Sequence, residues 1–179
     1  MRHRKTIKGL PAGEYILRET AAPNGYTIAK DVKFTVTDEL KAAETVVMEN
    51  APIEVNISKN DITTEKELPG ATLQVLKKVT GEDGTETEEV VTTIYGEKLE
   101  WKSTGEPKNI KGLPAGEYIL RESAAPDGYT VAADVTFTVT DELKAVETVE
   151  MQDAPIETVI SKVDMLIRQK NCREQPFRF

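Results

Sequence analysis

The chain is nearly free of the residues that build redox and metal sites. Its 179 positions hold one cysteine, Cys172, and one histidine, His3. A lone cysteine cannot close a disulfide within the chain, and one Cys with one His falls short of a zinc site. The two also lie near opposite ends, in the segments with the weakest structural pattern, which argues against a Cys–His nucleophilic pair. No metal and no cofactor is therefore expected. Basic charge is in the minority, with 23 Lys and Arg against 31 Asp and Glu and a net charge of -8. That argues against nucleic acid or an anionic membrane surface as a partner, since both select for a concentrated basic face. No apolar run approaches the roughly 20 residues that span a bilayer, so no membrane insertion is expected. The basic start, Met1 to Lys5, leads into Gly9-Leu10-Pro11-Ala12-Gly13 with no apolar segment between, unlike a signal peptide, and no Leu-Pro-x-Thr-Gly sorting motif is present. No stretch sustains a helical period. The 39% hydrophobic and 30% charged composition is that of an ordinary folded protein, not a disordered one.

The chain does contain a repeat. Residues 7–53 match residues 110–156 at an offset of 103, with 38 of 47 positions identical. Val55-Asn56-Ile57-Ser58-Lys59-Asn60-Asp61 is echoed by Thr158-Val159-Ile160-Ser161-Lys162-Val163-Asp164. A period near 100 residues is too long for a solenoid and fits one small domain. The chain thus reads as a window on a tandem array. Residues 1–52 are the C-terminal half of one unit, 53–155 a complete unit, and 156–165 the first strand of another. Residues 166–179 have no counterpart in the repeat and are expected to be a poorly ordered tail.

Within the complete unit, short β-rich runs alternate with turn signals. Strands are expected at Glu54–Lys59, Ala71–Val79, Val90–Tyr95, Glu117–Glu122, Asp134–Val139 and Glu147–Asp153. Gly81-Glu82-Asp83-Gly84 should close a hairpin, and Gly112–Gly116 and Pro126-Asp127-Gly128 should form corners. Six or so strands in a hundred residues predict an all-β, Ig-like sandwich.

Side chains alternate faces along a strand. Val55 and Ile57 share a face with Lys59, Tyr118 and Leu120 with Glu122, and Val149 and Met151 with Asp153. Each apolar stripe ends on an ionisable group. The upstream copy supports the last register, because Val46 and Met48 keep the apolar positions while the intervening Val47 becomes Glu150. These residues could be strand-end charges with the lysine reaching for water, a buried ion network, which is a costly way to hold a fold, or a reactive triad.

Tyr118-Ile119-Leu120-Arg121-Glu122 followed by Ala125-Pro126-Asp127-Gly128-Tyr129 resembles the E-box of Cna B-type, prealbumin-like domains of Gram-positive pilins and adhesins. Ile57–Asp61 is similar to that family's first strand, Leu68-Pro69-Gly70-Ala71 to the loop before its second, and Val149–Pro155 to its last. The resemblance implies a prealbumin-like sandwich repeated in tandem, with an intramolecular isopeptide bond from Lys59 to Asp153 and Glu122 assisting as acid. The family more often has Asn at the last position; the Asp153 variant changes the by-product from ammonia to water. Glu19 and Asn50 are the equivalents in the first partial unit and Lys162 in the last, so one complete triad is expected. Burial favours the neutral amine and the protonated carboxyl that the reaction needs, and strand pairing holds them together.

By the same resemblance the chain is expected to be a stalk repeat at the cell surface or in the cell wall. Its partners would be neighbouring repeats, with host extracellular matrix contacted through other domains. A second reading makes the repeat itself a binder of matrix protein or glycan through Trp101, Tyr95 and Tyr129. Turnover catalysis is not expected, since the triad would be consumed by its one reaction. A third arrangement would dock the Lys162 strand on the half-unit that carries Glu19 and Asn50, though that half-unit has little core of its own.

Overall fold

The computed structural model describes residues 5–39, 45–143 and 146–162. His3, Cys172, residues 163–165 and the expected tail at 166–179 lie outside the described residues.

All the regular structure described is β. The first partial unit supplies β1 (Gly13–Leu17) and β2 (Val32–Val36), an antiparallel pair. The complete unit supplies β3 (Glu54–Asp61), β4 (Thr72–Thr80), β5 (Glu86–Val90), β6 (Glu100–Lys102), β7 (Lys108–Lys111), β8 (Gly116–Ala124), β9 (Val135–Val139) and β10 (Glu147–Asp153). These form two sheets, one ordered β10-β3-β7 and the other β5-β4-β8-β9, with β6 also on β4. The first and last strands, β3 and β10, run parallel, with Met151 opposite Lys59. The other pairings are antiparallel.

The period-two stripes build the core between the sheets. Val55, Ile57, Leu73, Val75, Tyr118, Leu120, Val149 and Met151 are all buried in one cluster. Each fully buried aliphatic or aromatic side chain contributes about 1.5–3 kcal/mol relative to exposure. Tyr118 also stacks on Phe137 with ring centroids 5.7 Å apart, and its hydroxyl donates to the Pro114 carbonyl at 2.8 Å. This bond closes the corner that precedes β8.

The expected strand at Val90–Tyr95 does not form; the strand lies upstream, as β5 at Glu86–Val90, and shares only Val90 with it. Thr92 bridges Lys98, and Gly96, at φ 84°, donates its N–H to Thr93 O at 3.0 Å. An alternating run so close to a glycine turn becomes the arm of that turn. Strands β6 and β7 were not expected; they are three and four residues long, with Trp101 half-buried in one and Ile110 buried in the other. One inward residue is too little for a periodicity to register.

The two copies of the repeat show how much of a strand comes from its neighbours. In β8 the stretch matching β1 runs nine residues against five, and Ile119 and Leu120 are 8% and 0% exposed where Ile16 and Leu17 are 54% and 38%. Residues 45–50, the counterpart of most of β10, form no strand. Nor do residues 156–162, expected as the start of a first strand; they are largely exposed, and a first strand in this fold needs a last strand and a β7 on its two sides.

Candidate functional site

Strands β3, β8 and β10 each deliver one charged residue to a single point. Lys59 is 2% exposed, Glu122 4% and Asp153 1%. Lys59 Nζ contacts Asp153 Oδ1 directly, and lies 3.3 Å from Glu122 Oε1. Lys59 and Asp153 come from the paired first and last strands, while Glu122 reaches across from the opposite sheet. Three ionisable groups thus share a pocket behind Ile57, Leu120 and Met151, each almost sealed from water.

The backbone around the pocket is held from several directions. The Lys59 carbonyl accepts from Leu68 N–H at 2.6 Å, and the Lys59 N–H donates to Glu67 Oε2 at 3.2 Å. Asp153 O accepts from Ile62 N–H at 3.0 Å. Glu122 Oε2 accepts from Ala132 N–H at 2.7 Å. These partners were not found from the sequence. Ala132 and Ile62 act through main-chain amides, which have no residue signature, and Glu67 lies in a loop where one carboxylate looks like any other.

Burial pushes the Glu122 carboxyl above the ordinary carboxylate range; the Ala132 N–H and the Lys59 charge pull it back, and the nearby Asp153 pushes it up again. Glu122 Oε1 and Asp153 Oδ2 are buried without a hydrogen-bond partner. In a fully ionised pocket Glu122 Oε1 would still have the Lys59 ammonium at 3.3 Å, but Asp153 Oδ2 would be a costly orphan. A proton placed between the two carboxyls turns one of these oxygens into a donor.

The half-unit repeats part of the arrangement. Glu19 Oε2 accepts from Ala29 N–H at 2.7 Å, as Glu122 does from Ala132, and from Asn50 Nδ2 at 2.6 Å. Lys162 is exposed and outside any strand, in neither acid pocket. The structure therefore brings together Lys59, Glu122 and Asp153, and separately Glu19 and Asn50.

The candidate contact aromatics form no common face. Trp101 packs against the core. The Tyr129 hydroxyl donates to Asp61 Oδ2 at 2.8 Å, and Tyr95 is 59% exposed. A cleft lined by Thr27, Pro52, Val139, Leu143 and Val146 lies where the half-unit meets the complete unit, away from the triad. Among the described residues no cluster of His, Cys, Asp and Glu is arranged to hold a metal ion, and no helix is long and apolar enough to cross a membrane.

The sequence matches the family described as SpaA, prealbumin-like fold domain, over residues 4–52 and again over 53–163. The chain belongs to this family. It is 29% identical over 158 residues to a collagen adhesin of Staphylococcus aureus, a match covering 79% of this chain and 13% of that protein. A streptococcal ancillary pilin is similar at 28% identity and a TM-score of 0.43, over 82% of this chain and 44% of that one. The shaft pilin SpaA of Lactobacillus rhamnosus GG is similar at 20% identity and a TM-score of 0.43, over 82% and 66%. The chain therefore spans a small part of the adhesin and less than half of the ancillary pilin. In this SpaA-type sandwich the buried triad occupies the seam between first and last strands.

Proposed function

We propose that the complete unit is a structural stalk repeat of a Gram-positive surface adhesin or pilin, locked by an isopeptide bond that it forms on its own. The observation that carries this reading is the sealed contact of Lys59 with Asp153 beside Glu122. The neutral Lys59 amine attacks Cγ of the protonated Asp153 carboxyl, and the new C–N bond forms as the C–OH bond breaks. Glu122, holding its proton, donates it toward the Asp153 oxygen and receives a proton from the nitrogen. The departing oxygen leaves as water and Glu122 returns to its starting state. Pre-positioning on paired strands replaces chemical activation of the carboxyl. The triad reacts once, so the unit is not an enzyme.

The bond would tie residue 59 to residue 153. Loop-entropy reasoning taken over from disulfides puts the stabilisation on the order of 4–5 kcal/mol. Its mechanical effect is larger. Tension entering at Ile53 would run along β3, cross at Lys59 to Asp153 and leave, so the chain between them would carry none of it. That suits a spacer outside the cell, where a protein with one cysteine has no internal disulfide to serve the same purpose. The relationship to an adhesin and to pilins supports a cell-surface location, and the name of the S. aureus relative connects that protein with collagen. For this chain we assign matrix contact to other domains and give the repeat the neighbouring repeats as partners.

The test is the intact mass of the full chain beside its Glu122→Ala variant. The parent is expected one water lighter than its sequence mass, and the variant at full mass. Full mass in both overturns the crosslink.

A further inference from the structure

The repeat contains its own control, because among the described residues the same corner occurs once against a neighbouring unit and once with none against it. In the first copy, the link Ala51-Pro52-Ile53 is clamped by the corner before it. Thr27 N–H donates to Ala51 O at 2.8 Å, Ile53 N–H donates to Gly25 O at 2.9 Å, and Tyr26 bridges Pro52. The second copy reproduces all three, with Thr130 to Ala154 at 3.0 Å, Ile156 to Gly128 at 2.8 Å and Tyr129 bridging Pro155. The exit of the chain from a unit is therefore built identically in both.

What differs is what lies beyond. Ile28 N–H donates to Asp141 O of the complete unit at 2.7 Å. Gly25 is pressed so closely on that unit that a Cβ there would lie 2.7 Å from Ile94 Cγ2 and 3.0 Å from Gly112 O. At the matching Gly128 a Cβ would meet nothing within 4 Å. Gly25 is buried and Gly128 exposed. Val131, the counterpart of the half-buried Ile28, is 58% exposed. Ile156, the counterpart of Ile53, is 58% exposed where Ile53 is 4%. Ile28 to Val131 is a conservative change, and Ile53 and Ile156 are the same residue, so the sequence at these positions does not account for the difference.

We propose that Gly128, Val131 and Ile156 form a docking face for a second copy of the 53–155 unit, joined in series through Ile156. That copy would present its own Ile94–Tyr95 turn, Gly112 and Asp141 carbonyl, as the complete unit presents them to Gly25 and Ile28. The face then becomes a backbone and apolar junction, with the Val131 N–H bonded to the next unit's counterpart of Asp141. Tyrosine pairing is not required. The hydroxyl of Tyr129, the counterpart of Tyr26, is committed to Asp61 of its own unit. Successive units would be held in one orientation and would not swing freely about the Ala-Pro-Ile link. This deepens the stalk reading and rests on it, since a spacer gains reach from a stiff junction.

Amide hydrogen exchange tests the junction in two chains. In the chain as it stands, the Ile28 amide is expected to exchange at least about tenfold more slowly than the Val131 amide, because one is bonded across the junction and the other faces water. In a chain of residues 1–155 followed by a second copy of 53–155, the Val131 amide should slow by a similar factor. Ile94→Asp in the second copy should return it to the fast rate. Equal, fast exchange of Val131 in both chains, with the second copy folded, overturns the junction. So does protection that appears only as protein concentration rises. Intact mass reads the crosslinks in the same samples, so a failed junction with intact crosslinks is distinguishable from a failed stalk reading.

Discussion

Lys59 and Asp153 stand 94 residues apart in the chain and touch side chain to side chain in the core. The contact depends on β3 and β10 being parallel neighbours, an arrangement in which both side chains face the same way. Glu122 then needs to come only from the opposite sheet, which the Tyr118–Leu120 stripe provides.

Asp153→Asn places in the complete unit the residue that Asn50 represents in the half-unit. The bond is expected to form still, with ammonia leaving in place of water. The crosslinked product is then the same molecule as in the parent, so both reacted chains should give one intact mass, which lies below the Asn variant's sequence mass by one ammonia. An unreacted Asn variant beside a reacted parent would show that the protonated carboxyl itself is required.

Leu120 is fully buried between the triad and the rest of the core. In a background that cannot crosslink, Lys59→Met, the further change Leu120→Ala should cost about 2–5 kcal/mol through lost burial and the cavity left behind. Urea denaturation of the two variants measures it. A cost below about 1 kcal/mol would place this side chain outside the core, contrary to the structure.

The unreacted pocket should carry a pH signature of defined sign. In Lys59→Met, Glu122 keeps a carboxyl whose folded-state proton affinity is raised by burial above the ordinary value of 4.5. The folded state then holds a proton that the unfolded chain has released, so stability from this group is complete below that value and falls as pH rises above it. Asp61 and Asp83, both lowered by hydrogen bonds from nearby groups, have the opposite dependence and lose their contribution as pH falls. The comparison is therefore with Lys59→Met/Glu122→Gln, which retains those two and removes the titration. The Tm of the single variant should drop relative to the double as pH rises from 4 toward 7. A constant difference would contradict the burial of Glu122.

Arg121 points outward from the same strand, between Glu88 at 2.5 Å and Asp134, also at 2.5 Å. These groups are each about a third exposed, so water screens them. Arg121→Ala should change stability by no more than about 1 kcal/mol and leave the mass deficit unaltered. Loss of the deficit would mean that this outer network positions Glu122.

The triad was legible because strands write their facing into the sequence. In Tyr118-Ile119-Leu120-Arg121-Glu122, alternate residues share a face, and the charge at the end of each stripe needs no distant information to be seen. The repeat made the units legible in the same way. Other features depend on partners remote in sequence. Ile16 and Ile119 sit in the same local sequence, yet one is 54% exposed and the other 8%, because only the second has β4 beside its strand. The run after Val90 looked like a strand because its alternation continues, while Gly96 turns the backbone. The amide of Ala132, which steadies Glu122, belongs to a residue type with no polar side chain to mark it.

The Ala-Pro-Ile clamp occurs twice with the same three backbone contacts. A link that applies one rotation and one translation at every step generates a screw. An array of such units would then be a helical ladder, its pitch decided at Gly25 and Ile94, with any given surface residue returning at a fixed angle and a fixed rise. In a stalk of this kind the facing of each repeat would follow from its place in the series, and the number of repeats would set both the length and the direction in which the last repeat faces.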